Sequence, residues 1–195
     1  MFNLKKITEM AHIFLKQVIE PGDVAVDATA GNGHDTMFLA GRVGQTGRVY
    51  AFDIQKAALE QTAEKLVAAG LEDRVELIQD SHSNMAKYLH GEAKVICFNL
   101  GYLPGGDHRL VTRQETTLPA VQSALKIISV NGLLTITLYP GHAEGAREAI
   151  LLTDYCRSLK AADYTVAALN LTNNTNNPPR LLLVQKSSFN QTVSM

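Results

Sequence analysis

The sequence predicts an α/β protein: a mostly parallel sheet with helices on both faces and an antiparallel strand near its end. Three observations carry this. Apolar runs alternate with helix-patterned segments from Val24 to Leu138. Three of these runs end at or one residue short of an aspartate, Asp27, Asp53 and Asp80, and a fourth reaches Asn99. The last two apolar runs have only a polar loop between them. Strands separated by helices cross over to stay parallel, and those helices then cover both faces of the sheet.

The elements follow in order. The opening MFNLKKITEMAHIFLKQVIEPGD places Leu4, Ile7, Met10, Ile13 and Phe14 at helical spacing with charges between them. That pattern predicts an amphipathic helix within residues 1–20, not a signal peptide. Strands are expected at Val24–Asp27, Val49–Phe52, Val75–Ile78, Val95–Leu100 and Leu133–Leu138, with helices at 34–42, 55–69, 81–89, 114–129 and 143–160. Tyr164–Leu169 and Arg180–Lys186, joined by LTNNTNNPP, read as an antiparallel hairpin. With no repeat and no linker-like stretch, residues 1–195 are expected to form one domain.

Composition narrows the function classes. Apolar content of 46% with 19% charged residues excludes a disordered chain. Eighteen basic against 19 acidic residues leave a net charge of −1, so any nucleic-acid partner needs a local patch. Cys97 and Cys156 are too few and too far apart for a metal knuckle and read as two reduced thiols. No run approaches the ~18 apolar residues of a membrane span, and the expected compartment is the cytoplasm.

The stretch VAVDATAGNGHDT, Val24–Thr36, carries the chemistry. Gly31 and Gly33 fall between the first strand and the next helix, where bare backbone N–H groups can approach a ligand. Asp53 closes VYAFD twenty residues after Gly33, placed to accept both ribose hydroxyls of an adenosine. Asp80, followed by Ser81 and His82, closes the third strand, where the carboxylate or its neighbours would meet the adenine edge. One strand-end aspartate is an ordinary helix cap; three at corresponding positions favour a nucleoside ligand. A dinucleotide fingerprint requires a third glycine where Thr36 stands, and Asp27 would repel an anionic pyrophosphate. A cationic sulfonium nucleoside suits these carboxylates better.

DATAGNGHDT, FDIQ, DSH at 80–82, NLGYLPGGDH at 99–108, TLYPGH at 137–142 and NNPP at 176–179 together resemble the class I S-adenosylmethionine-dependent methyltransferases. Within them the chain is similar to a family long labelled rRNA methylases and now associated with the tRNA wobble uridine, the MnmM-type 5-aminomethyl-2-thiouridine methyltransferases. The likeness covers nearly the whole chain, and NLGYLPGGDH is its most specific part. It implies a Rossmann-like seven-stranded sheet with one antiparallel strand, S-adenosylmethionine as cofactor, and methylation of an exocyclic amine in a tRNA anticodon loop. It also implies a cofactor set of Asp27, Thr29, Gly31, Asn32, Gly33, Asp35, Thr36, Asp53, Gln55, Asp80, Ser81, His82 and Asn99.

Amino-group methyltransferases often carry Asn/Asp-Pro-Pro-Tyr/Phe after the fourth strand, where the amide oxygen accepts from the target amine and the aromatic stacks on the base. This chain keeps Asn99 and Tyr102 but has Leu100 and Gly101 in place of the prolines. An aliphatic amine is protonated at neutral pH, so some group must take its proton; Asp107, Tyr102, His108 and His142 are the candidates, with Asp107 first. Expected RNA contacts are His108, Arg109, Arg113 and Tyr139, extended by Lys5, Lys6 and Lys16; no metal is required, and a homodimer would widen the surface. The competing readings are an N-methyltransferase of rRNA or a small amine, a nicotinamide oxidoreductase, and a cofactor-sensing scaffold.

Overall fold

The computed structural model describes residues 3–101 and 112–188. Its strands are β1 (Val24–Asp27), β2 (Arg48–Phe52), β3 (Val75–Ile78), β4 (Ala93–Asn99), β5 (Ile128–Leu138), β6 (Tyr164–Leu169) and β7 (Arg180–Lys186). The helices are α1 (Ile7–Lys16), α2 (His34–Val43), α3 (Lys56–Ala69), α4 (Gln114–Ile127) and α5 (Ala143–Arg157). One seven-stranded sheet runs β3-β2-β1-β4-β5-β7-β6. β3, β2, β1, β4 and β5 are parallel, whereas β7 is antiparallel to both of its neighbours.

Period-2 alternation splits the core between the two faces. Ala25, Val49, Val95 and Cys97 point to the side covered by Leu15 of α1, Leu39 of α2 and Leu66 of α3. Val26, Phe52, Ile96, Phe98, Leu134 and Ile136 point to the other, against Val121 and Leu125 of α4 and Leu152 of α5. Strand order reverses between β1 and β4, which are direct neighbours. That is where open α/β sheets leave a crevice at the carboxyl ends of their strands.

The terminal hairpin forms as expected, with β7 between β5 and β6 and β6 at the edge. The physical reason is apolar content: Leu181, Leu182 and Val184 of β7 are buried, while half of β6 is exposed. Several expectations are corrected. The segment expected as a helix over 81–89 is a 3-10 turn at His82–Lys87, because the Asp80 carboxylate gathers the Asn84 and Tyr88 side chains into a tight turn. Residues 128–129 extend β5, not α4: Ile128 pairs with Ala93 across an irregularity in register. α5 ends at Arg157. In α1 the buried face is Ile7, Met10, Ala11 and Leu15; Leu4 lies before the helix at 53% exposure and Ile13 at 40%. Lys6 precedes the helix and pairs with Glu9. Among the described residues no helix is long and apolar enough to cross a membrane.

Candidate active site

The crevice at the β1/β4 switch point opens into a cavity of about 690 Å³, within the size range of ligand pockets. Its floor is the β1–α2 loop. Asp27, at the tip of β1, is fully buried; its Oδ2 accepts from Thr36 Oγ1 at 2.6 Å and its Oδ1 from the Thr29 amide at 3.1 Å. Burial, reinforced by the nearby negative charge of Asp35, raises its pKa to about 7. The loop then turns on two left-handed glycines, Gly31 at φ 49° and Gly33 at φ 78°. A Cβ on Gly33 would lie 2.8 Å from Thr62 Oγ1 of α3, so this turn requires glycine twice over.

Asp53, just after β2, binds the same loop. Its Oδ2 accepts from the Gly31 amide and its Oδ1 from the Gln55 amide, both at 2.8 Å. Each carboxylate oxygen has a second acceptor site, so ribose hydroxyls remain within its capacity. Thr62 donates to the Gly31 carbonyl at 3.1 Å and Lys65 to the Asn32 carbonyl at 2.5 Å, so α3 holds the loop from outside. Asp80 lines the cavity after β3. Its oxygens accept from the Ser81 amide, Asn84 Nδ2 and Tyr88 OH, and these bonds lower its pKa. It shapes the turn that lays Ser81 and His82 along the cavity. Burial lowers the His82 pKa to about 4, so this ring is neutral at neutral pH. Its Nε2 is buried without a hydrogen-bond partner among the described residues.

The far end of the cavity is built on the tip of β4. The Asn99 amide donates to Thr29 Oγ1 at 2.7 Å, and Asn99 Nδ2 points at Asp35 Oδ2 at 3.4 Å. Asp35 Oδ1 lies 2.6 Å from His12 Nε2 of α1. Tyr139, at the end of β5, closes this side against Gly101; burial and the Asp35 charge raise its pKa to about 12, so it stays a neutral phenol. His142 caps α5, its Nδ1 accepting from the Gly145 amide at 3.1 Å, which commits one ring nitrogen to structure. Asn177 and Pro179, from the NNPP stretch, also line the cavity.

The structure thus gathers Thr29, Gly31, Asn32, Asp35, Asp53, Gln55, Asp80, Ser81, His82, Asn99, Tyr139 and His142 around one cavity. Asp27, Gly33 and Thr36 stand behind its wall. Arg113 is exposed before α4 and outside the lining, which Thr116 joins one turn further on. Tyr102, Asp107, His108 and Arg109 lie outside the described residues.

Sequence reasoning missed three partners. Glu148 of α5 is only 2% exposed and accepts from Thr117 Oγ1 at 2.6 Å and Thr112 Oγ1 at 2.9 Å. Thr112 in turn accepts from the Gly101 amide, so this buried carboxylate ties Gly101 and Thr112 together. Thr62 and His12 are the others, and nothing local marks any of the three. Asp27, Asp35 and Cys97 also form a close buried group, but burial holds the Cys97 thiol well above its usual pKa, and the carboxylates already have hydrogen-bond partners.

The donor set fits a cationic nucleoside: the Asp35 and Asp53 carboxylates line the cavity, with apolar Phe52, Ile54 and Leu100 on the walls. It does not suit a pyrophosphate, which would face Asp35 and Asp53.

The comparisons agree with this geometry. The model of the family described as "Putative rRNA methylase" matches residues 49–185. The chain is 38% identical to the chloroplastic tRNA (mnm(5)s(2)U34)-methyltransferase of Arabidopsis thaliana over 183 residues, 89% of this chain and 67% of that protein. Among solved structures, a "putative rRNA-methylase" from Clostridium thermocellum superposes with a TM-score of 0.92 at 39% identity, covering 95% of this chain and all of that one. A methyltransferase-described protein from Streptococcus mutans in complex with SAH gives 0.85 at 34% identity, over 95% and 99%. A sheet in class I methyltransferase order, a nucleoside-sized acidic cavity at its switch point and these matches place the chain in the rRNA methylase family.

Proposed function

We propose that the chain, acting as one domain, is an S-adenosylmethionine-dependent tRNA methyltransferase. It methylates the exocyclic amine of 5-aminomethyl-2-thiouridine at the wobble position, giving the 5-methylaminomethyl nucleoside. The observation that carries the reading is the cavity itself, acidic at the glycine loop and ending on the Asn99 amide. The Arabidopsis relative, named for this nucleoside, supports the acceptor. The Streptococcus mutans neighbour with SAH bound supports the cofactor.

The bound cofactor would supply an electrophilic methyl group on a sulfonium. The protein's residues do the rest. Asp53 holds the ribose end beside the glycine turn, Ser81 and His82 flank the base, and Asp27 with Thr36 fixes the loop beneath. Charge is dispersed as the methyl moves, so alignment matters more than a clamp on the sulfonium. The Asn99 side-chain nitrogen is directed at Asp35, which leaves its oxygen to accept from the target amine. Tyr139 supplies an apolar face for the base. A wobble base is already unpaired, so presenting it costs less than opening a duplex.

The partner is the tRNA anticodon loop, docking in the cytoplasm through Arg113 and the 102–111 segment with its Arg109 and His108; a homodimer would enlarge that surface. Nucleoside mass spectrometry of tRNA from cells with and without the protein tests the function. Loss of the methylaminomethyl nucleoside with accumulation of its aminomethyl precursor is expected; an unchanged nucleoside profile overturns the reading.

A further inference from the structure

The reaction must dispose of a proton. Of the groups the sequence offers for this, Tyr102, Asp107 and His108 lie outside the described residues, and His142 commits Nδ1 to capping α5. Another carboxylate stands at the acceptor end of the cavity. Asp35 lines it, lies beside Asn99, and faces Tyr139 across the same end. Its first oxygen is held by His12 Nε2 at 2.6 Å, and the second faces Asn99 Nδ2 at a loose 3.4 Å. The second oxygen is therefore the one with capacity to spare.

His12 is itself fixed in place. It projects from α1, its ring stacks on Phe38 of α2 at 4.0 Å with only 4° between the planes, and 23% of its side chain remains exposed. Stacking on Phe38 does not by itself call for a histidine. A leucine would cover Phe38 equally well, and neither ring nitrogen is needed to hold α1, which packs through Ile7, Met10, Ala11 and Leu15. The other ionisable groups close to Asp35 are Asp27 below it, the Cys97 thiol and the Tyr139 phenol. Burial favours the protonated form of all three.

Resting on the function proposed above, we infer that Asp35 is the group that takes the proton from the acceptor ammonium, and that His12 is the positioning residue that aims it. One N–H bond of the ammonium breaks and an O–H bond forms on Asp35 Oδ2. The freed nitrogen lone pair bonds to the methyl carbon, and the electrons of the broken carbon–sulfur bond stay on sulfur. The product leaves as a secondary ammonium, and Asp35 returns its proton to water. By donating to Oδ1, His12 keeps Oδ2 turned toward Asn99 and the docked amine. By accepting from Asn99 Nδ2, Asp35 also keeps the Asn99 oxygen facing the same amine. One α1 side chain thus orients both groups that contact the nitrogen.

Two measurements on the full-length protein test this, using an anticodon stem-loop RNA that carries 5-aminomethyluridine at the wobble position. The first is cofactor-free binding against the same RNA with plain uridine. Wild type is expected to prefer the amine, and Asp35→Asn to lose that preference. The second is single-turnover methyl transfer as a function of pH. General-base loss of about 10²–10⁴-fold is expected for Asp35→Asn at pH 7. The deficit should shrink about tenfold per pH unit as the amine, with a pKa near 10 like that of lysine, loses its proton unaided. His12→Phe, which keeps the stack and loses the donor, should fall at least tenfold at unchanged cofactor affinity, while His12→Gln recovers most of the rate. A deficit in Asp35→Asn that stays constant with pH overturns the inference, as does one explained wholly by weaker cofactor binding. Wild-type rates in His12→Phe overturn the part given to His12. A wild-type protein that leaves this RNA unmethylated overturns the proposed function instead.

Discussion

Replacing Gly33 by alanine probes the physical basis of the cofactor loop. Gly33 precedes α2 as its N-cap at φ 78°, a left-handed conformation that costs an L-residue about 1–2 kcal/mol. The added methyl would also stand 2.8 Å from Oγ1 and 2.9 Å from Cγ2 of Thr62, a fully buried side chain on α3. Overpacking of that kind costs a further ~1–3 kcal/mol. Gly33→Ala should therefore destabilise the protein by roughly 2–5 kcal/mol in urea unfolding, at the upper end if Thr62 cannot turn aside. Thr62→Ala removes the obstacle and also the hydrogen bond to the Gly31 carbonyl, worth about 0.5–1.5 kcal/mol. In the double variant the contacts with Oγ1 and Cγ2 disappear, while the 3.2 Å approach to Cβ and the left-handed cost remain, so the cycle should show favourable coupling of up to about 1–3 kcal/mol. Because Gly33 directly follows Gly31 and Asn32, which line the cavity, displacing the turn should also weaken S-adenosylmethionine binding in calorimetry. Wild-type stability in Gly33→Ala, or strictly additive effects in the pair, would refute the argument that this turn excludes a side chain.

Other outcomes follow from the same geometry. Asp53→Ala should weaken S-adenosylmethionine binding by about 1–3 kcal/mol, since it removes charge-assisted bonds to both ligand and loop; an unchanged dissociation constant would displace the ribose from β2. Asn99→Ala should lower methyl transfer far more than cofactor affinity, and full turnover would remove the tip of β4 from the acceptor site. Asp27 gives a pH test. Its folded pKa is raised from 3.8 to about 7, so between those values the folded state holds a proton that the unfolded chain has released. Stability contributed by this group is complete below about pH 4 and falls as pH rises toward 7, by up to about 1.4 kcal/mol per unit. Asp27→Asn should flatten that part of the stability–pH curve measured by thermal unfolding, and an undiminished slope would place the proton elsewhere.

Strand ends were the legible part of this protein. Alternation and short β-rich runs marked β1 to β4 within a residue or two at most boundaries, because buried parallel strands tolerate little but apolar residues. The polar residues that close these runs, Asp27, Asp53 and Asn99, stood out by recurring at corresponding strand ends, since any one alone reads as an ordinary cap. The order of β6 and β7 was not visible locally, since it depends on which strand finds more apolar surface beside β5. The 3-10 turn after β3 escaped because side-chain bonds from Asn84 and Tyr88 to Asp80 override helical propensity. His12, Thr62 and Glu148 sit inside helices whose sequences look ordinary. Their partners lie 23, 31 and at least 31 residues away, and only the packing of α1, α3 and α5 on the sheet brings them to the loops.

The central claim is that the crevice between the tips of β1 and β4 holds the methyl donor with its reactive end toward Asn99. A crystal structure of the protein grown with S-adenosylhomocysteine tests it directly. The ribose should sit on Asp53 and the sulfur should lie at the Asn99 and Asp35 end of the cavity. A ligand bound elsewhere, or lying in the crevice with its sulfur turned away from Asn99, would contradict the account.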